Sequence, residues 1–73
     1  MSFPTKTEVE ALRKRYVGHR VRLIRTDDPY THLKPGDEGI VKFVDDAGTI
    51  HINWDCGSGL GLVPGHDLFE TID

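Results

Sequence analysis

Cys56 follows His51 by five residues and Asp55 by one, which brings together the residue types of a thiol nucleophile, its base and an orienting acid. That chemistry requires the thiol and imidazole within hydrogen-bond reach, with a separate donor for the developing oxyanion. The surrounding pattern supplies neither. His51 alternates with apolar neighbours and so points away from the core, Cys56 occupies a turn, and no oxyanion donor is identifiable. Cys56 reads as a surface thiol of ordinary reactivity. Ser58 with His66 and Asp67 meets the same objection. A metal needs three or four converging donors, yet His19, His32, His51, His66 and Cys56 contain neither a Cys-x-x-Cys nor a His-x-x-x-His pair. The run Gly57-x-Gly59-x-Gly61 lacks the Lys-Ser/Thr of a phosphate loop and leads into Leu62-Val63-Pro64, which cannot open the helix such a loop requires. The expectation is a chain without enzymatic activity, metal or cofactor.

Recognition chemistry is better represented. Arg13, Lys14 and Arg15 are consecutive, while Arg20, Arg22 and Arg25 lie on one strand and are expected to share its outward face. Six converging cations would hold phosphates and give salt-sensitive, sequence-independent nucleic-acid binding. The acidic majority weighs against this, and the plainer reading is a solvated face paired with Asp27, Asp28, Asp45 or Asp46. The aromatic residues offer another surface. Trp54 alternates with apolar residues and is expected to be structural more than a contact, whereas Tyr30 stands among loop formers as an exposed anchor. Phe43 precedes Val44, and a strand cannot turn both inward without a bulge. Phe43 is then either a surface anchor or, in the preferred reading, a partner for the apolar stripe of a helix. Tyr30, Trp54 and Phe43, with Asp28 and Asp55, make up the candidate protein-binding set.

One helix and five strands must position these groups. A helix is expected over residues 5–17, where Thr5 and Glu8, or Thr7 and Glu10, have capping-box spacing. Val9, Leu12 and Tyr16 make one narrow apolar stripe, and Gly18 can end the helix. From Arg20 the period shortens to two. Strands are expected over 20–25, 39–44, 49–55, 60–63 and 68–72, the third with Ile50, Ile52 and Trp54 facing inward. Residues 26–39 form a long ordered loop with Pro35-Gly36 as its turn. Asp45-Asp46-Ala47-Gly48 closes one hairpin, Cys56-Gly57 a second of two residues, and Pro64-Gly65-His66-Asp67 makes the last turn. Five short strands with one long loop imply a mainly β fold, a small barrel that removes its own edges. A helix this short is marginal alone and is expected to dock on that barrel.

Length and composition bound these readings. With 73 residues there is room for one domain, spanning 1–73. No apolar run exceeds two residues, far short of the ~20 that span a bilayer. A single cysteine excludes an internal disulfide, and the start Met-Ser-Phe-Pro lacks the basic and apolar regions of an export signal, so a cytoplasmic protein is expected. Residues 1–26 carry seven cations against two anions, and the remainder ten anions against Lys34 and Lys42, giving the net −3. The chain is a dipole in sequence, with a pI of 5.7 that is low for a nucleic-acid-binding domain.

The run Pro35-Gly36-Asp37-Glu38-Gly39-x-Val41, followed by Asp46-x-Gly48-x-x-x-Ile52-x-Trp54-Asp55-x-Gly57-Ser58, resembles a family of small SH3-like barrels of unknown function from bacteriophages and mobile elements. The resemblance covers residues 18–72. The Trp-Asp-x-Gly-Ser signature is also similar to barrel modules of large eukaryotic ubiquitin ligases, and the Pro-Gly-Asp-x-Gly-x-Val start to ribosomal and elongation-factor barrels. Cys56 stands where such turns tend to carry Asn. The resemblance implies a five-stranded SH3-like barrel, to which the residues before it add an N-terminal helix, and a module that inhibits or redirects a host protein. It further implies a groove on the long-loop side, with Tyr30, Trp54, Pro64 and nearby acids available to line it. The remaining expectation about partners is a monomer or a weak homodimer, the latter by self-association through an exposed strand or the apolar helix stripe.

Overall fold

The computed structural model describes residues 4–27 and 31–73. Helix α1 (Lys6–Tyr16) precedes five strands, β1 (Arg20–Arg25), β2 (Glu38–Val44), β3 (Ile50–Trp54), β4 (Gly61–Leu62) and β5 (Leu68–Thr71). Each falls where the periodicity places it, within one or two residues. Of the two possible capping boxes, Thr5 with Glu8 forms: the Thr5 hydroxyl accepts the Glu8 N–H and the Glu8 carboxylate accepts the Thr5 N–H, each at 3.2 Å. Glu10 is thereby left free to bind Arg13 one turn on. Chain direction changes after Tyr16 through an extended Val17 and a left-handed Gly18.

The strands form one antiparallel sheet in the order β4-β3-β2-β1-β5. Among the described residues no pairing joins β4 to β5, so the sheet has two ends. Its inner face and the helix share one core of Val9, Val21, Leu23, Leu33, Val41, Val44, Ile50, Ile52, Trp54 and Leu62. Val9 is buried, while Leu12 and Tyr16 lie against the core, so the stripe read from the sequence docks. Tyr16 meets Phe69 of β5 edge-on at 5.2 Å, and Arg13 Nε donates to Val44 O at 3.0 Å, which fastens the helix to both sides of the sheet. Such burial contributes at about 25 cal/mol per Å² of apolar surface.

Two register slips shape the outer face. Val41 pairs with Ile52 and Phe43 with His51, so Lys42 is an extra residue in β2. Leu23 pairs with Phe69 and Arg25 with Leu68, so Ile24 is an extra residue in β1. At Gly39 the two strands approach so closely that a Cβ would lie 2.7 Å from Asn53 O and from Ile52 Cγ2; only glycine fits.

The second hairpin differs from expectation. Cys56-Gly57 is not a two-residue turn joining β3 to β4, because the connection runs over residues 55–60 and the turn is closed by Gly57 N–H donating to Trp54 O at 3.0 Å. Among the described residues no non-glycine has positive φ, whereas Gly57 has φ +86°. A Cβ disfavours the left-handed region, so Gly57 takes it and Cys56 stays in the ordinary part of the turn.

Candidate functional site

The outer face of the sheet has two ends of different chemistry. At the first, register places Arg22 opposite Glu38 on β2 and Glu70 on β5. Arg22 reaches Glu38 at 3.4 Å and Glu70 at 3.1 Å, while Arg20 reaches Asp55 at 2.8 Å and Glu38 at 3.5 Å. Asp73 extends this ladder, accepting the Arg20 N–H and bonding His19 Nδ1, each at 3.0 Å; these hydrogen bonds lower its pKa. Among the described residues, the expected partners Asp27 and Asp45 are therefore not those of Arg20 and Arg22, and Asp28 lies outside the described residues. Antiparallel pairing sets acids from β2, β5 and the β3 end beside these arginines, and Asp45 belongs to the hairpin at the other end. Of the expected acids, Asp46 does pair with a cation, Arg13, at 3.0 Å.

At the second end, the bulge at Lys42 exposes two consecutive residues, Lys42 and Phe43. Phe43 is 49% exposed and its ring stacks on the His51 imidazole, with centroids 4.3 Å apart and planes at 11°. His51 Nε2 bonds Asp45 Oδ2 at 2.8 Å. The other Asp45 oxygen accepts the N–H groups of Ala47 and Thr49 at 3.0 and 2.9 Å. The bond to His51 leads the causes that lower the Asp45 pKa, and with the backbone bonds it outweighs the opposing effect of burial. Hairpin, carboxylate, imidazole and phenyl ring thus form one supported stack. Beside it runs an open groove lined by Arg13, Lys14, Val17, Phe43 and Val44. Arg13 is held by Val44 O, Glu10 and Asp46, so it forms a fixed wall. Among the described residues Lys14 and Lys42 have no ion-pair partner.

The candidate protein-binding residues do not converge. Phe43 lies at the hairpin end of β2, away from the long loop, and its contact is His51 rather than the Val9, Leu12 and Tyr16 stripe that was its preferred partner. The reason is the bulge, which turns Val44 into the core and Phe43 out. Trp54 and Asp55 lie at the opposite end of β2, next to Gly39 and Glu38. Trp54 is 2% exposed with its Nε1–H donated to Leu60 O at 2.8 Å, so it offers a partner no surface. Asp55 is exposed and held by Arg20. Tyr30 and Asp28 lie outside the described residues.

The six cations also separate. Arg13 and Lys14 line the groove at the hairpin end, Arg15 lies over the Tyr16 ring, and Arg20 and Arg22 belong to the carboxylate ladder. Arg25 follows the Ile24 bulge and is exposed. His51 is engaged by Asp45 and Asp55 by Arg20, so neither serves Cys56. Asp67 accepts Thr26 Oγ1 at 2.7 Å, Val63 N–H at 2.9 Å and Asp27 N–H at 3.3 Å, clamping the last turn to the long loop. Burial raises its pKa, but the hydrogen bonds outweigh this and the net direction is down. A second, larger concavity of roughly 650 Å³ lies between α1 and the turns, with Leu12, Ala11, Val63 and Pro64 among its walls.

The role of His51 in supporting Phe43 was missed, although a signal existed. Counting back from the hairpin closed by Asp45 and Thr49 pairs Val44 with Ile50 and Phe43 with His51. The clamp made by Asp67 had no such signal, since its partners are remote in sequence.

Among the described residues no helix is long and apolar enough to cross a membrane. No curated protein and no solved structure matches the chain. A family model does match, over residues 5–72, taking in α1, which the resemblance read from the sequence had left outside. The chain belongs to that family, described as a domain of unknown function (DUF4314).

Proposed function

We propose that this chain is a non-catalytic protein-interaction module of the SH3-like barrel class carried by phages and mobile elements, and that it meets its partner through the Phe43 end of the outer sheet face. The observation that carries the reading is a half-exposed phenyl ring held rigid by His51 and Asp45 beside an apolar groove. Rigid, partly exposed aromatics are the residues that dominate binding energy, because little side-chain entropy is lost when they are covered. A strand order in which β5 returns to β1 beside the β2-β3-β4 meander supports the barrel class. Engagement of His51, Asp55 and Asp67 in structural bonds supports a non-catalytic role.

Electrostatics favours protein over nucleic acid. Arg20 and Arg22 face Glu38, Asp55, Glu70 and Asp73, so this end of the outer face has more acids than bases and repels a polyanion. The test is capture from a lysate by the immobilised protein and by its Phe43→Ala variant, after both give the same thermal midpoint. Partners retained by the wild type and lost by the variant are expected. Equal recovery by both overturns the reading.

A further inference from the structure

We infer that the surface around Phe43 takes an acidic peptide segment carrying one aromatic side chain, which seats against Phe43 and Val17 while its carboxylates meet the ammonium groups of Lys14 and Lys42. This rests on the reading of Phe43 as an interaction surface and adds the chemistry of the partner.

The seat is apolar and prepared. Phe43 and Val17 are 49% and 41% exposed, and with Val44 they supply the apolar side of the groove. An aromatic ring gains from area burial and from an offset or edge-on contact with Phe43, and the stack on His51 leaves the opposite side of that ring uncovered by the imidazole. Freezing the phenyl ring before binding removes an entropic cost that a free side chain would bear.

Charge then selects the flanking residues. At the seat stand Arg13 and Lys14, with Lys42 next to Phe43 in the chain, opposed by Glu10 and Asp46, which bind Arg13, and by Asp45, which binds His51. Each of those carboxylates is thereby already engaged, Asp45 by the hairpin backbone as well. The cations left to a partner are Lys14 and Lys42, which have no ion-pair partner among the described residues and are both exposed. The far end of the same face has four carboxylates against Arg20 and Arg22. An acidic segment is therefore drawn to the Phe43 end and kept from the ladder, whereas a basic segment would be drawn the other way. A nucleic acid also carries aromatic rings and negative charge, but its phosphates continue along the strand and would run onto the carboxylates.

The test is a titration of the full isotope-labelled chain with four probes, followed by the backbone amide signals. They are a short peptide of aspartate and glutamate around one phenylalanine, its lysine counterpart, the acidic peptide with serine replacing phenylalanine, and a short oligothymidylate. The acidic phenylalanine peptide is expected to shift Lys14, Val17, Phe43 and Val44 saturably. Phe43→Ser, and separately Lys14→Glu combined with Lys42→Glu, should each weaken it about ten-fold. Roughly 0.5 M salt should weaken it as well. These positions are exposed, and an unchanged spectrum elsewhere shows that each variant is folded. Tighter binding of the lysine peptide at the same signals overturns the charge assignment and leaves the interaction surface standing. Equal binding of the serine peptide overturns the aromatic seat, and tighter binding of the oligothymidylate overturns a peptide partner. Movement of these signals on dilution alone assigns the surface to a second copy and overturns an acidic peptide. Silence at these signals with every probe, up to roughly 1 mM, overturns both this inference and the reading beneath it.

Discussion

Trp54 and Phe43 sit on neighbouring strands of one sheet and have opposite fates. Trp54 follows Ile50 and Ile52 inward, where its indole is covered and its N–H satisfied by Leu60 O. Phe43 should follow Val41 inward by the same alternation, yet it stands outside while Val44 takes the inner place. One extra residue, Lys42, separates the two outcomes. A bulge that exports a phenylalanine, and leaves it supported by a histidine and an aspartate, places an apolar ring where stability alone has little use for it. The contrast teaches that an aromatic residue's role is set by local register more than by its type.

The sharpest way to test that contrast is to truncate both rings. Trp54→Ala removes a filled part of the core and orphans Leu60 O, at a cost of about 3–5 kcal/mol. At ~4–8 °C per kcal/mol for a chain of this size, the thermal midpoint should fall by more than ten degrees. Phe43→Ala, on the exposed side, should change stability by roughly 0.5 kcal/mol or less. Melting curves followed by circular dichroism check both, and comparable losses would break the distinction between core and surface aromatic.

Removing α1 should have the next largest effect. A chain starting at Val17 loses the buried Val9, the contacts of Leu12 and Tyr16 with the core, and the Arg13 bond to Val44 O. The loss should be roughly 2–4 kcal/mol, lowering the midpoint by about ten degrees or more. The truncation also removes Arg13 and Lys14 from the Phe43 groove, so it should weaken any partner that Phe43→Ala weakens. A melting curve unchanged by truncation would mean that the helix is an arm rather than part of the core.

These effects also mark what could be read in advance. Element order was legible because each segment carries a local signature: Thr5 with Glu8, the period of two over Ile50, Ile52 and Trp54, and glycines at Gly36 and Gly48 where positive φ is needed. The register slips at Ile24 and Lys42 were not, since a bulge is decided by the core on both strands at once. The slip at Lys42 moved Phe43 away from the helix stripe, and the slip at Ile24 keeps Arg25 on the outward face with Arg20 and Arg22, where strict alternation would turn it inward. The candidate site was legible only in Phe43 and the cations of the helix end. Its support from His51 and Asp45 needed a register, as did the pairing of Arg20 with Asp55, and the pairing of Arg22 with Glu70 needed the position of β5, which returns from the far end of the chain.

A smaller effect separates two aspartates that organise turns. Asp67 clamps the last turn to Thr26 and Asp27, and Asp45 builds the hairpin beneath His51. Both have a folded pKa below the unfolded value of about 3.9. A depressed carboxylate adds stability that is fully present above the unfolded pKa and is lost as pH falls through the folded one. Asp67→Asn should therefore lower stability at neutral pH by about 1 kcal/mol, with the gap to the wild type closing below about pH 4. Asp45→Asn should show the same sign with a smaller amplitude, because its carboxylate is more exposed to solvent. Asp45→Asn should also loosen the His51 stack and weaken partner binding at Phe43, which Asp67→Asn should leave intact. Acid titrations of the melting midpoint test the signs, and a gap that widens toward low pH would refute them.

The smallest expected effect lies in the charge ladder, and it returns to the comparison of the two ends. Arg22 is shared by Glu38 and Glu70, but all three side chains are partly in solvent, where a pair of this kind contributes about 0.2–1 kcal/mol. Arg22→Gln should lower the midpoint by roughly 1–8 °C at low salt. At roughly 1 M salt, where the screening length is near 3 Å, the difference from the wild type should vanish. Lys14→Gln at the other end breaks no ion pair, so its midpoint should match the wild type at every salt concentration. The same two variants should reverse their order in partner binding, with Lys14→Gln weakening it and Arg22→Gln leaving it unchanged. If Arg22→Gln instead weakens binding more than Lys14→Gln does, the ladder is the contact surface, and the paired charges rather than the free ones are what the partner reads.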